Sequence, residues 1–308
     1  MKKAVIIFIV GIFSFYLSSR SVELDKIIEL KSKSGSKVIN AVLGKKKDNK
    51  FHPGSIFKLM GNRYGITDQV NSLVLVISSE GRINKKIGKF GKNKIISPVS
   101  GTSEPDGSFY ISDSSLKMIL KFSKELKFEK VFISDQSVRI TGIFYFRKKL
   151  YAVDTLNHRI SIFDQNGKLI KTFGGRGNGD GEFNYPTHIW VDESSIYITD
   201  ALNFRIQIFD LTGNYISKFG KNGKYGGDFS KPKAIAVDSG KRIYVSDVMF
   251  DNVQVFDIKG QFLTYFGGPG KDKGNFWMPG GLMIDSENKI FVCDTYNNRI
   301  QVFKISEN

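Results

Sequence analysis

A chain of 308 residues with 41% hydrophobic side chains, including 26 Phe and 12 Tyr, has ample material for a core, which excludes a disordered polymer. A single cysteine excludes a disulfide framework. The formal net charge of +16 favours acidic partners such as nucleic acid, anionic polysaccharide or phospholipid headgroups, with a coat of solvated lysines as the plain alternative.

Lys2 and Lys3 open the chain, an apolar run from Ala4 to Leu17 follows, and Ser18 and Ser19 end it. That order of charged, apolar and small residues is the pattern of a secretory leader, and the run is shorter than a bilayer core requires. Residues 1–20 are expected to direct export to the periplasm or cell exterior, as a cleaved signal peptide or a short N-terminal tether. Residues 21–36 are expected to form a linker and residues 37–308 the folded domain.

From residue 53 onward the sequence repeats itself. An Asp ends a strand-like run at Asp68, Asp113, Asp154, Asp200, Asp247 and Asp294, at spacings of 45, 41, 46, 47 and 47 residues. That period suits a four-stranded propeller blade. Each full repeat starts an apolar strand after Pro ("PTHIWVD", "PKAIAVD", "PGGLMID") and continues into "SIYITD", "RIYVSD" or "KIFVCD". A loop follows, usually with Asn three residues on (Asn71, Asn157, Asn203, Asn297), and then "RISIFD", "RIQIFD" or "RIQVFK". A Gly turn (Gly81, Gly167, Gly213, Gly260) leads to an outer strand ending in Phe-Gly. The first two repeats are worn: Leu73 stands where others have Arg, and the second lacks both the turn Gly and the final Phe-Gly.

The chain stops after the third strand of repeat six, while "KVINAVLG" at residues 37–44 reads as a spare outer strand. Closure of blade six by this N-terminal strand would complete a ring and cover an exposed edge. The expected fold is therefore all-β, a six-bladed propeller of four-stranded antiparallel blades. "DTLNHRISIF" at residues 154–163 resembles the motif of the NHL-repeat family, and the likeness runs from Pro53 to Phe303. The resemblance implies the same six-bladed propeller. The family includes extracellular sensor heads, RNA-binding platforms and a zinc lyase branch, so the fold does not dictate the activity.

Chain direction places the loops between strands two and three on the same face as the loops between blades. Those inter-blade loops (174–186, 220–232 and 267–279) are long and carry Arg176, Lys221, Lys224, Lys231, Lys271 and Lys273, with Lys92 and Lys94 from blade one. Tyr185, Tyr225, Phe204, Phe250, Trp277 and Tyr296 belong to the same face. Long loops on a rigid scaffold are where binding residues concentrate. The recurring Phe183, Phe229 and Phe276 are expected to be pegs between blades. Asp154, Asp200, Asp247 and Asp294 are expected to accept backbone hydrogen bonds in their own turns, and Arg159, Arg205 and Arg299 to belong to the scaffold. Cys293, matched by Val153, Thr199 and Ser246, is expected to be packed and inert.

Catalytic signatures are sparse. "GGRGNGDGEF" lacks the spacing and the following helix of a phosphate loop. The histidines are His52, His158 and His188, which could hold zinc on one face. The zinc histidines of the family's lyase branch lie near innermost-strand starts in several blades. The equivalent rim positions here are Ser55, Ser100, Gly142, His188, Ala234 and Gly281, with one His among six. The expectation is an exported, monomeric, non-enzymatic scaffold without cofactor, binding a protein or an anionic envelope polymer through the inter-blade face. A zinc lyase or hydrolase at the channel mouth is the alternative. A propeller for single-stranded nucleic acid is a third reading, opposed by the export signal.

Overall fold

The computed structural model describes residues 15–17, 20–28 and 51–307. Six antiparallel sheets follow one another around a ring, and each innermost strand packs beside the next. Blades one to five begin at Ser55, Pro98, Ile140, Pro186 and Pro232, and blade six at Pro279. Within blade four the strands are Pro186–Val191, Ile196–Asp200, Arg205–Phe209 and Tyr215–Phe219, paired in that order from channel to rim.

Burial explains the sequence pattern. The second strands, such as Ile196–Asp200, Ile243–Asp247 and Ile290–Asp294, are buried at every position. Each lies between two neighbouring blades, so both faces need apolar or hydrogen-bonded side chains and no clean alternation survives. The outer strand Tyr215–Phe219 meets solvent, and it alternates.

Each pair of adjacent blades shares one apolar cluster. The cluster between blades six and one joins Ile28, Met283, Phe291, Ile300 and Val302 to Phe51, Ile56, Ile66 and Leu75, so the ring is closed by packing as well as by strand order. Phe183, Phe229 and Phe276 are fully buried and lie 5.6, 5.5 and 5.7 Å from the rings of Phe209, Phe256 and Phe303. The glycine of each Phe-Gly is required twice over. Gly174, Gly220 and Gly267 have φ of 98°, 89° and 87°, and a Cβ there would fall 2.6, 2.4 and 2.3 Å from the peg ring. In worn blade two, Leu126 takes the turn position with φ of 64°, and the hairpin forms without its glycine.

The N-terminal closure takes a different segment from the one the sequence pattern suggests. Arg20–Ile28 pairs antiparallel with Arg299–Glu307 and completes blade six, with Phe15–Leu17 added outside it. Residues 37–44 lie outside the described residues, and the closing strand begins at the end of the expected leader and runs through the expected linker. A register shift between Leu24 and Lys26 explains why this strand is hard to read. Leu24 packs on the cluster between blades five and six, whereas Ile28 enters the cluster between blades six and one. The bulge swaps the faces midway and breaks the period of two.

Candidate functional site: the channel mouth and the inter-blade face

The six repeated aspartates are all fully buried, and they anchor the loop face. Each accepts backbone N–H groups from the loop entering its blade: His52 N–H on Asp68 (3.1 Å), Ile96 N–H on Asp113 (2.8 Å) and Arg139 N–H on Asp154 (3.0 Å). Asn184, Ser230 and Trp277 do the same for Asp200, Asp247 and Asp294, at 2.6, 2.7 and 2.8 Å. They also accept bonds in their own turns, as from Asn71 N–H on Asp68 and Leu116 N–H on Asp113. Their larger role is to fix the loop entering each blade to that blade's own second strand. Burial pushes Asp68 and Asp200 above the usual carboxylate range against the pull of these bonds.

Arg205 extends the anchoring. Its Nε donates to Asp200 at 2.7 Å, and its fork reaches the carbonyls of Asn178, Gly179 and Glu182, each at 2.8 Å. Arg299 repeats this with Asp294, Asp272 O and Asn275 O. Arg159 pairs with Asp154 but stays more exposed. The loops at 174–186 and 267–279 are thus held from below by a planar cation matched to converging acceptors.

The loop cations lie above this scaffold, with Lys221 Nζ 3.9 Å from the buried Asp228 carboxylate. Arg176, Lys221, Lys224, Lys231, Lys271 and Lys273 are all exposed. Lys92 and Lys94 are exposed at a two-stranded ribbon between blades one and two. Lys271 Nζ lies 5.4 Å over the Trp277 ring, Trp277 is 5.7 Å from Tyr296, and Tyr296 is 5.9 Å edge-on to His52. Tyr225 is 83% exposed, and Tyr185 is also exposed. Phe204 and Phe250 are half-buried, Phe204 against the cluster between blades four and five, so they offer less surface than their loop positions suggest.

The three histidines do not converge. His158 is buried in its loop, where Nδ1 accepts Tyr185 N–H at 3.1 Å. His52 contacts Tyr296. His188 faces the channel, and its Nδ1 accepts Ile235 N–H from the next blade at 3.3 Å. Ser100 does the same job two blades earlier, accepting Ile143 N–H at 3.2 Å. Among the described residues no group of three His, Cys, Asp or Glu side chains is placed to hold a metal ion. The histidine set of the zinc alternative therefore does not fit one ion. The bond from Ile235 requires an unprotonated Nδ1, and burial with nearby Lys233 pushes the imidazole down to about 4.

Two cavities along the channel share Ser55 and His188 in their walls. The one at the loop face, of about 300 Å³, is lined by Thr141, Thr187, His188, Lys231, Lys233 and Tyr296 among others, with no carboxylate in its wall. Desolvation at the channel wall, with Lys231 and Arg139 nearby, lowers the Lys233 ammonium, although the residue as a whole is exposed. The inner cavity, of about 210 Å³, is mostly apolar, with Phe57, Phe144, Trp190 and Met283 in its wall. Lys233 was missed in the sequence because one charge near the start of "PKAIAVD" reads as a strand-end lysine. Also missed was a groove of about 740 Å³ between worn blades one and two, where Lys85, Lys86, Lys89, Lys94 and Lys127 border Ile87, Phe122 and Phe128. The lysine-rich "INKKIGKFGKNK" at 83–94 was its available signal.

Comparison with known proteins agrees with this architecture. Residues 133–219 and 193–250 match a family model described as a 6-bladed beta-propeller (DUF5128), and residues 276–303 match the NHL repeat. A Bacteroides thetaiotaomicron protein of unknown function is similar in structure at TM-score 0.69 and 13% identity, over 93% of this chain and 76% of that one. A gluconolactonase from Xanthomonas campestris is similar at TM-score 0.65 and 12% identity, over 94% and 91%. Virginiamycin B lyase from Staphylococcus aureus is similar at TM-score 0.60 and 15% identity, over 82% and 95%. At such identities the likeness is one of fold. With six sheets arranged in one closed ring, the chain is a six-bladed β-propeller that carries a match to the NHL repeat at residues 276–303.

Proposed function

We propose that this chain is an exported, monomeric, non-enzymatic scaffold that binds an anionic envelope polymer on its inter-blade face. The observation that carries the reading is a channel mouth lined by Lys231 and Lys233 with no carboxylate in its wall, on the face that exposes five further loop cations and Trp277, Tyr225 and Tyr296. Cations without acidic neighbours attract polyanions, and long-range steering follows. Aspartate anchors beneath the loops keep this surface ordered, which lowers the entropy lost on binding. An acidic protein is the second partner class that the same surface suits.

The test is retention on immobilised heparin, a sulfated polysaccharide, across a salt series. Replacing Arg176, Lys221, Lys224 and Lys271 with Ser should weaken binding by about tenfold or more and flatten its dependence on salt. Binding unchanged in the quadruple variant would refute the face assignment. Tight binding that ignores salt would refute the electrostatic reading.

A further inference from the structure

Blade five departs from its neighbours at one position. Arg159, Arg205 and Arg299 pair in register with Asp154, Asp200 and Asp294, but Asp247 pairs with Asn252. Asp247 is fully buried and accepts N–H groups from Ser230, Lys231, Met249 and Phe250. No side-chain cation among the described residues pairs with it. Asn252 Oδ1 is buried with no hydrogen-bond partner.

The space of the missing arginine is open. A cavity of about 330 Å³ is bounded by Lys224, Tyr225, Phe250, Asn252, Gln254 and Tyr265. Lys224 and Tyr225 occupy the loop positions of Asn178 and Gly179, whose carbonyls receive the Arg205 fork in blade four. Gln254 Nε2 is turned away onto Asp228 O at 2.7 Å, as Gln207 Nε2 is onto Glu182 O. The pocket thus offers an orphaned amide oxygen on Asn252, in register with the buried Asp247, beside the loop segment whose blade-four counterpart supplies carbonyls to the Arg205 fork. Three aromatic rings stand in its wall. Blades one and two carry Leu73 and Met118 at this position, which present no polar acceptor, and Leu73 lines the lysine-rich groove between those blades.

We propose that this pocket of blade five is a receptor for a guanidinium group, the arginine side chain of a peptide or protein partner supplied from outside. A guanidinium is planar, carries five N–H donors and no acceptor, and stacks on aromatic faces. Those features answer an unpartnered Asn252 Oδ1 in a cavity walled by Tyr225, Phe250 and Tyr265. An ammonium lacks the fork and the plane. The site adjoins the polyanion surface and shares Lys224 and Tyr225 with it, but it selects a cation by shape where the loop lysines attract anions by charge.

The experiment titrates N-acetyl-arginine methylamide, and separately its lysine counterpart, into the full-length protein by calorimetry. Saturable binding of the arginine compound is expected, about tenfold or more tighter than of the lysine compound. Asn252→Arg should abolish it by filling the site from within, and should raise the melting temperature. Asn252→Leu, which copies blade one, should abolish it without adding charge, and serves where the arginine variant folds poorly. No saturable binding, equal binding of the two compounds, or binding retained in both variants would overturn the proposal. A pocket holding only water gives the first of these results.

Discussion

Arg205→Ala probes how firmly the loop face is held. The Arg205 side chain is 7% exposed, Asp200 is fully buried, and one guanidinium serves the carboxylate and three loop carbonyls. Truncation leaves a buried carboxylate without its cation, a class of change that costs about 3–5 kcal/mol. The same substitution at Arg159 removes a pair whose cation is 37% exposed and whose fork reaches no loop carbonyl. Solvent screening holds that cost to about 1 kcal/mol or less. The two variants share chemistry and repeat position, so their difference isolates the anchoring of the 174–186 loop. Urea unfolding followed by circular dichroism reads the difference as a shift in midpoint at unchanged slope. Arg205→Lys should recover little, because an ammonium cannot span the three carbonyls. If Arg205→Ala and Arg159→Ala cost the same within about 0.5 kcal/mol, the argument from burial and converging acceptors is wrong.

Three other outcomes follow from the structure. His188 titrates near 4 when folded against 6.5 ordinarily, so its contribution to stability is complete above pH 6.5 and is lost as pH falls towards 4. Wild type should lose up to about 3 kcal/mol more than His188→Ser over that window, and parallel pH profiles would contradict the neutral, amide-bonded imidazole. Burial raises the Cys293 thiol far above its ordinary value, so a thiol reagent at pH 8 should label native protein no faster than the protein unfolds; rapid native labelling would place Cys293 elsewhere. Deletion of residues 1–19 leaves the closing strand intact and should preserve a cooperative melt, whereas deletion of residues 1–28 strips the partner from Arg299–Glu307 and should produce self-association in gel filtration. A monomeric, equally stable protein after the longer deletion would show that the ring does not need this strand.

The amino-acid sequence by itself determined the number of blades, the strand order within each and the face to which the long loops belong. These follow from local chemistry repeated at a fixed period: an Asp that binds backbone amides, a glycine with positive φ beside a phenylalanine peg, and apolar runs that need cover on both faces. The exposed positions of Arg176, Lys221 and Lys271 follow from the same register. Only the tertiary structure decided which N-terminal segment closes blade six, because pairing with a strand at the far end of the chain leaves no local mark and the bulge at Leu24–Lys26 hides the alternation. It alone separated the three histidines and gave His188 a backbone donor from the next blade, a bond that exists only once two blades meet. The same holds for Asn252. In the sequence it is one substitution in a repeat, and in the folded ring it becomes a cavity, because the side chain that would fill the space is missing while Asn252 Oδ1 is left without a partner.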